Sequence, residues 1–168
     1  AFSLRLRVAV KGTALDLSLS VHNTGEQAFP FSAALHSYFA IDQLREARIA
    51  GLQRVRYSDE TPQDALQAEE FLQFDDKLDR IYYQLPGALA LQAGSHTLRM
   101  EQQGFTDAVV WNPGAQDAAA LPDLAGDEQP RFICIEPALI QPDTLAAGAE
   151  WLGRQRIDAA GHFGELVL

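Results

Sequence analysis

Two ionisable residues stand in strongly apolar stretches of the sequence. His36 lies within residues 31–39, and Glu136 closes the apolar run that begins at Phe132, directly before Pro137. A buried carboxylate is costly unless it is paired or its pKa is raised, so Glu136 is a stronger functional candidate than any other acidic residue of the sequence. An imidazole with an ordinary pKa of about 6.5 exchanges protons near neutral pH. The two residue types together are suited to general acid–base catalysis.

Each candidate residue also has an ordinary structural interpretation. His36 could be a hydrogen-bonded structural histidine, and Glu136 could be a strand-end carboxylate that simply reaches water. Asp79 follows other acidic residues and could belong to a solvated turn. Trp111, at a strand end before Asn112, is either a core or rim residue or a platform on which a sugar stacks. The residue types alone leave these alternatives open.

The segments that must position these residues are mostly short strands. Alternating apolar and polar residues predict strands over 2–10 and 15–21, with a turn at 11–13 between them. Gly, Pro and Asn residues then divide the sequence into further short extended segments. These predicted segments are residues 29–41, 47–57, 79–85, 88–92, 97–102, 108–111, 132–136, 151–157 and 165–168.

Two segments depart from the strand pattern. Residues 61–72 predict the one helix, because Thr61 can cap it, Pro62 fits its first position and the following residues favour helices. Residues 112–130 are acidic, rich in Ala, Gly and Pro, and predict a loop. Many short strands separated by turns predict an all-β sandwich or barrel-like domain. Because no repeat or linker divides the sequence, residues 1–168 are expected to form a single domain.

Composition limits the possible function classes. The chain has 168 residues, with 13 basic and 23 acidic side chains and a net charge of −10. This acidity argues against binding to nucleic acid or to an anionic membrane, which requires clustered positive charge. No apolar run approaches the roughly 20 residues of a membrane span. The lone cysteine, Cys134, excludes an intrachain disulfide, and no spacing matches a metal site, a nucleotide loop or a serine hydrolase motif.

Six segments, in order, resemble the aldose 1-epimerase (galactose mutarotase-like) superfamily, most closely its glucose-6-phosphate 1-epimerase branch, the hexose-6-phosphate mutarotases. The most specific are Ala-Leu-His-Ser-Tyr-Phe at 34–39 and Phe-Ile-Cys-Ile-Glu-Pro at 132–137, because they occur together. The similarity runs from about residue 15 to residue 157. The other four segments are Val-His-Asn-Thr-Gly at 21–25 with Phe31, Gly51-Leu52 with Tyr-Ser-Asp at 57–59, Asp-Arg-Ile-Tyr at 79–82, and Val-Val-Trp-Asn-Pro at 109–113.

The resemblance implies an antiparallel β-supersandwich, of which this chain forms the C-terminal portion, with a sugar cleft on one concave face. His36 corresponds to the catalytic general acid, Glu136 to the catalytic base and Asp79 to an aspartate that binds the sugar. Trp111 and Asn112 belong to a family signature, and we expect them to contact the sugar. The implied enzyme is an isomerase that interconverts α and β anomers, with glucose 6-phosphate or another hexose 6-phosphate as the favoured substrate. It requires no cofactor and no metal.

The sequence also departs from this family. Relatives carry a substantial N-terminal stretch before the first strand seen here, and in the hexose-6-phosphate branch that stretch holds the phosphate. We therefore expect either a piece of a longer enzyme, monomeric when complete, or a chain that pairs through an uncovered face. The alternative function is a non-catalytic carbohydrate-binding domain of the same fold, but the presence of both His36 and Glu136 favours the enzyme. The acidic, single-cysteine composition predicts a cytoplasmic protein.

Overall fold

The computed structural model of the protein describes residues 1–61, 63–125 and 127–160, and these residues form fourteen β-strands. Every strand pairing among them is antiparallel. The strands are β1 (Phe2–Lys11), β2 (Ala14–Asn23), β3 (Phe29–Ala34), β4 (Tyr38–Ala40), β5 (Arg48–Ala50), β6 (Arg56–Ser58), β7 (Ala65–Leu66), β8 (Leu72–Gln73), β9 (Leu78–Tyr83), β10 (Leu89–Ala93), β11 (His96–Gln103), β12 (Asp107–Asn112), β13 (Phe132–Leu145) and β14 (Glu150–Ala160).

The strands form two sheets that pack face to face. The first has the order β1-β2-β14-β11-β10-β5-β8, and the second has the order β3-β13-β12-β9-β6-β7, with β4 also paired to β13. Ile49 and Leu91 of the first sheet and Val110 and Ile133 of the second are completely buried in one apolar core. Alternate residues of the inner strands point into this core, as the period of two requires. The prediction of an all-β sandwich is confirmed.

Most of the predicted strands are confirmed with small shifts of their ends. The segments predicted at 2–10 and 15–21 are β1 and β2, joined by a turn at residues 12 and 13. The later predictions from 79–85 to 108–111 correspond to β9 through β12, and 151–157 lies within β14. The strand predicted at 165–168 lies outside the described residues. Local alternation was sufficient for these strands because each has one face toward the core.

The helix predicted over 61–72 is wrong in the described part of that segment. Residues 65–66 and 72–73 instead form β7 and β8, and the chain between them joins the sandwich through Gln67. The Gln67 amide donates to the Val55 carbonyl over 3.0 Å, and its buried side-chain oxygen accepts a 2.8 Å hydrogen bond from the Tyr82 hydroxyl. These contacts to β9 and to the residue before β6 outweigh a weak local helix propensity.

Two of the predicted strands are interrupted. The segment 29–41 leaves the strand pattern at residues 35–37, between β3 and β4. The segment 47–57 breaks after Gly51, between β5 and β6. Gly51 has a φ of +94°, and a Cβ added there would lie 2.5 Å from the Ala88 carbonyl oxygen. Only glycine combines that backbone conformation with such a close approach.

The segments around β13 also differ from expectation. The predicted loop at 112–130 contains the short helix α1 (Gly114–Ala118) and ends in a 3-10 helix at Gln129–Arg131; a second 3-10 helix lies at Leu44–Glu46. None of the helices in the described ranges has the length and apolar character that a membrane crossing requires. β13 does not stop at Pro137 as predicted but continues to Leu145. Pro137 lacks a donor, but its carbonyl still accepts a hydrogen bond, so pairing continues past it.

One face of the edge strand β1 is apolar and exposed. Its side chains share the core-facing side of the first sheet, because Leu4 pairs with Val21 and Leu6 with Leu19. The row is more than half exposed along its whole length, whereas the core residues Leu91 and Met100 of the inner strands are buried. Its members are Phe2, Leu4, Leu6, Val8 and Val10, with exposed fractions from 56% to 76%.

The burial pattern predicts unequal effects for the same substitution in two strands. Leu91→Ala removes a side chain that is completely buried, and we expect it to lower the free energy of unfolding by about 2–5 kcal/mol. Leu6→Ala changes an exposed position and should cost less than about 0.5 kcal/mol. Urea unfolding of both variants in the 168-residue chain measures the difference. A cost for Leu6→Ala equal to that of Leu91→Ala would contradict the exposure of the β1 row.

Candidate active site

Two backbone hydrogen bonds place His36 beside Glu136. The Leu35 amide donates to the Pro137 carbonyl over 3.1 Å, and the Ile135 amide donates to the Ser37 carbonyl over 3.2 Å. These bonds lie on either side of residue 36 in the loop and of residue 136 in β13, so the two side chains must be neighbours. His36 Nδ1 lies 3.2 Å from Glu136 Oε1. The structure therefore brings together His36 and Glu136, for which the sequence predicts an acid–base role.

A side-chain hydrogen bond anchors the same loop to the other sheet. The Ser37 hydroxyl donates to Oε1 of Gln155 in β14 over 2.8 Å. Gln155 is buried, with an exposed fraction of 3%. Because the bond spans the two layers of the sandwich, residues 35–37 are fixed from both sheets.

The two members of the pair differ in their access to solvent. The Glu136 side chain is 7% exposed, whereas the His36 side chain is 52% exposed. Burial, the largest effect, raises the pKa of Glu136; the neighbouring His36 lowers it and the negative charge of Asp79 raises it again. A carboxylate with a raised pKa is a stronger base than an ordinary one, and a half-exposed imidazole can meet a ligand from solvent.

Two aromatic side chains contact the imidazole, and a third packs against both of them. The Tyr38 ring stacks on His36 with a centroid distance of 4.7 Å and an interplanar angle of 12°. Trp111 meets His36 edge-on, with centroids 5.8 Å apart. Phe132 contacts both Tyr38, at 5.4 Å, and Trp111, at 6.0 Å. We call Tyr38, Trp111 and Phe132 the aromatic cluster; it restricts the ring plane of the histidine.

Strand register places the remaining candidates on the same face of the second sheet. Tyr38 pairs with Cys134, Cys134 with Trp111, and Trp111 with Asp79, so their side chains form one row across four strands. Glu136 lies two residues after Cys134 in β13 and therefore points to this face as well. Asp79 lies two strand spacings from Cys134, about 10 Å away. The face thus has the acid–base pair at one side and an exposed carboxylate at the other.

The environment of Asp79 is acidic and partly desolvated. Desolvation raises the pKa of Asp79, while Lys77 lowers it and Glu60 raises it. Asp79 also lines a 280 Å³ surface cavity together with Lys77 and Glu60. Its carboxylate is therefore available as a hydrogen-bond acceptor for a ligand on this face.

Asn112 does not share this face. Its side chain is completely buried, and its amide nitrogen donates to the carbonyls of Gln129 and Phe132 over 3.0 and 2.9 Å. Its oxygen accepts from the Gly114 amide and from the Gln129 side chain over 2.9 and 2.7 Å. Three of these bonds tie the end of β12 to residues 129–132 at the start of β13, and the fourth fixes the turn into α1. The structure gives Asn112 an internal role and leaves it no atom for a sugar.

Tyr38, Phe132 and Cys134 also belong to the site. Strand alternation in the sequence predicts Tyr38 on the face of His36, but Phe132 and Cys134 were not predicted as site residues. Tyr38 follows His36 by two residues, and Cys134 precedes Glu136 by two, so the spacing was a signal that all four share a face. Cys134 is completely buried, and burial together with Glu136 raises the pKa of its thiol to about 12. Its sulfur, Nδ1 or Nε2 of His36 and a Glu136 oxygen lie within 4.8 Å of one another, as a potential metal-binding group.

The fold and the site define a two-sheet antiparallel sandwich with an acid–base pair and an aromatic cluster on one open face. The family model for aldose 1-epimerase matches residues 1–158. The protein belongs to the aldose 1-epimerase family. The match covers all of the candidate site residues.

Curated relatives with similar sequences support the assignment to this family. The chain is 34% identical, over 168 residues, to a Cenchrus ciliaris protein named "Putative glucose-6-phosphate 1-epimerase"; the match covers 95% of this chain and 51% of the relative. A Salmonella typhimurium protein with the same name is 26% identical, with 80% and 45% covered. The chain thus spans about half the length of the curated relatives it matches.

Solved structures share the fold. The crystal structure of a Salmonella typhimurium protein named as a putative mutarotase superposes with a TM-score of 0.85 and 23% identity, covering 96% of this chain and 54% of the other. A protein of Escherichia coli K12, named as a putative aldose 1-epimerase, gives a TM-score of 0.75 and 16% identity, with 96% and 61% covered. The sandwich is therefore galactose mutarotase-like, as expected from the sequence.

The internal role of Asn112 can be tested by its effect on stability. Asn112→Ala removes four hydrogen bonds and leaves buried backbone groups unpaired, so we expect the free energy of unfolding to fall by about 2–4 kcal/mol. Gln141→Ala is the matched control, because Gln141 is an exposed amide residue in β13. Urea unfolding compares the two. If Asn112→Ala were as stable as the control, the internal role would be refuted.

Proposed function

We propose that the protein interconverts the α and β anomers of an aldose and that a hexose 6-phosphate is its substrate. The observation that carries the proposal is the 3.2 Å contact between His36 Nδ1 and Glu136 Oε1 on an open, aromatic-lined face. Membership of the aldose 1-epimerase family supports the reaction type. The names of the relatives, all glucose-6-phosphate 1-epimerases, support the phosphorylated substrate.

The reaction needs two proton transfers at neighbouring atoms. Glu136 accepts the proton of the anomeric hydroxyl, and His36 donates a proton to the ring oxygen as the bond from that oxygen to C1 breaks. The anomeric oxygen becomes the aldehyde oxygen. Rotation about the C1–C2 bond presents the other side of the carbonyl, and the ring closes with both proton transfers reversed. The acid and the base are regenerated, and no electrons are gained or lost.

The geometry of the pair suits this exchange. The anomeric oxygen and the ring oxygen are bonded to the same carbon, so the acid and the base must reach atoms that are close together. Side chains 3.2 Å apart meet that requirement. With Nδ1 beside Glu136, the second ring nitrogen of the half-exposed His36 remains for the sugar. Each well-placed acid or base contributes about 10²–10⁴ in rate.

The other residues of the face orient the sugar. The rings of Tyr38 and Trp111 provide surfaces for the apolar C–H side of a pyranose, beside the acid–base pair. Asp79, two strands from Cys134, accepts hydrogen bonds from hydroxyl groups at the far side of the ring. We do not include Asn112 among the sugar contacts, because its polar atoms are bonded within the protein.

Glu136→Gln tests the proposed base. The amide keeps the shape of the side chain but cannot accept the hydroxyl proton, so we expect the enzyme-dependent interconversion of glucose 6-phosphate anomers to fall about 10²–10⁴-fold. Magnetisation-exchange NMR measures the rate, with glucose and galactose as comparison substrates. Glu26→Gln, at an exposed turn, is the matched control and should keep the rate. Sugar binding without acceleration by the natural protein would instead indicate a carbohydrate-binding domain.

His36→Ala tests the proposed acid in a different way. Removing the imidazole should lower the rate about 10²–10⁴-fold, because the ring oxygen loses its proton donor. Since the His36 side chain is half exposed, free imidazole can enter the space that is left. We expect added imidazole to restore part of the rate in His36→Ala and none in Glu136→Gln. Equal rescue of both variants, or full activity of His36→Ala without imidazole, would disprove the role of His36.

A further inference from the structure

His36, Cys134 and Glu136 bring three different metal-ligating groups to one point. Their ligand atoms, an imidazole nitrogen, a thiol sulfur and a carboxylate oxygen, all lie within 4.8 Å of one another. Cys134 and Glu136 are two residues apart in β13 and so point the same way. His36 is held against them by the backbone hydrogen bonds on either side of it. The group is thus fixed by the sheet itself.

The spacing approaches that of a tetrahedral metal site. With metal–nitrogen and metal–oxygen bonds of about 2.0–2.1 Å, two such ligands stand about 3.3 Å apart. His36 Nδ1 and Glu136 Oε1 are already 3.2 Å apart. A metal–sulfur bond of about 2.3 Å places the sulfur about 3.6 Å from the other ligands, so closing the separations by about 1.2 Å or less brings Cys134 into position.

The ligand types select the class of metal. Thiolate and imidazole favour borderline or soft ions such as Zn²⁺ and Cd²⁺, whereas Mg²⁺ and Ca²⁺ prefer oxygen ligands. Three protein ligands leave the fourth tetrahedral position to water. Binding breaks the S–H bond of Cys134, forms a metal–sulfur bond and releases the proton to solvent.

We propose that His36, Cys134 and Glu136 form a binding site for a borderline or soft divalent cation of the Zn²⁺ and Cd²⁺ class, which inhibits the protein by occupying its acid–base pair. Metal binding itself follows from the ligand geometry and needs no sugar chemistry. The inhibition rests on the proposed function, because the metal takes the nitrogen and the carboxylate that would exchange protons with the sugar. No spacing in the sequence predicted the site, since His36 and Cys134 lie on separate segments.

Cadmium binding can be read directly from the thiolate. Because Cys134 is the only cysteine, any thiolate-to-cadmium charge-transfer band in the ultraviolet reports on that side chain. We expect a band that saturates at one Cd²⁺ per chain in chelator-treated protein and disappears when Zn²⁺ is added in excess. Cys134→Ala and Cys134→Val should both lack the band. Absence of the band in the unmodified protein would overturn the proposal.

The other two ligands are tested by affinity. His36→Ala and Glu136→Gln should each weaken Cd²⁺ binding by at least about tenfold, as expected when part of a coordination sphere is lost. His96→Ala is the matched control, because His96 is exposed in β11 of the other sheet and should leave the affinity unchanged. Unchanged affinity in both His36→Ala and Glu136→Gln would show that Cys134 binds the ion alone, which would also overturn the proposal.

Inhibition is measured separately, as the effect of Zn²⁺ on the rate at which the α and β anomers of glucose 6-phosphate interconvert. Each protein is compared with its own metal-free rate, so a change in basal activity does not affect the result. We expect Zn²⁺ to inhibit the unmodified protein and the His96→Ala control, and to inhibit Cys134→Ala at a concentration at least about tenfold higher. Equal sensitivity of Cys134→Ala would overturn the inhibitory role. A metal-free protein without epimerase activity would refute the proposed function, while the cadmium band would still decide the metal site.

Discussion

The bonds from the Leu35 amide to Pro137 and from the Ile135 amide to the Ser37 carbonyl join a loop to the middle of a buried strand. They replace the regular pairing of β3 and β4 with β13 for three residues, so that His36 leaves the sheet surface beside Glu136. The hydrogen bond from Ser37 to Gln155 extends the same constraint to the opposite sheet. Every feature of the site depends on this junction, because a shift of one residue would turn either side chain to the other face.

The junction formed by these hydrogen bonds also sets the electrostatic environment of His36 and Glu136. A carboxylate in the middle of a buried strand is deprived of water, and its nearest compensation is the imidazole that the junction supplies. The aromatic cluster limits the positions that the imidazole can adopt and leaves one side of it open. The alternation of β13 places the Cys134 sulfur on the same face as Glu136, close to both groups. The proposed proton transfer and the proposed metal binding thus depend on the same arrangement of side chains.

Sequence reasoning succeeded where structure is local. The alternation of β1 and β2 identified both strands, because each has one face toward the core side of its sheet and the register follows from their short turn. It failed over residues 61–72, where capping and propensity favoured a helix. In that segment Gln67 forms hydrogen bonds with the Tyr82 hydroxyl and the Val55 carbonyl. Leu72 packs in the core. These partners are distant in sequence, so no local pattern contains them.

The sequence by itself determined the residue types of the site: a histidine and a glutamate in apolar surroundings and, through the resemblance of their segments, the family. Only the tertiary structure decided which side chains meet. It set His36 against Glu136, added Cys134 to the same face and turned Asn112 inward to four internal hydrogen bonds. The physical reason is that strand pairing joins residues far apart in the chain, and the register of that pairing is fixed by packing and backbone hydrogen bonds across the whole sandwich.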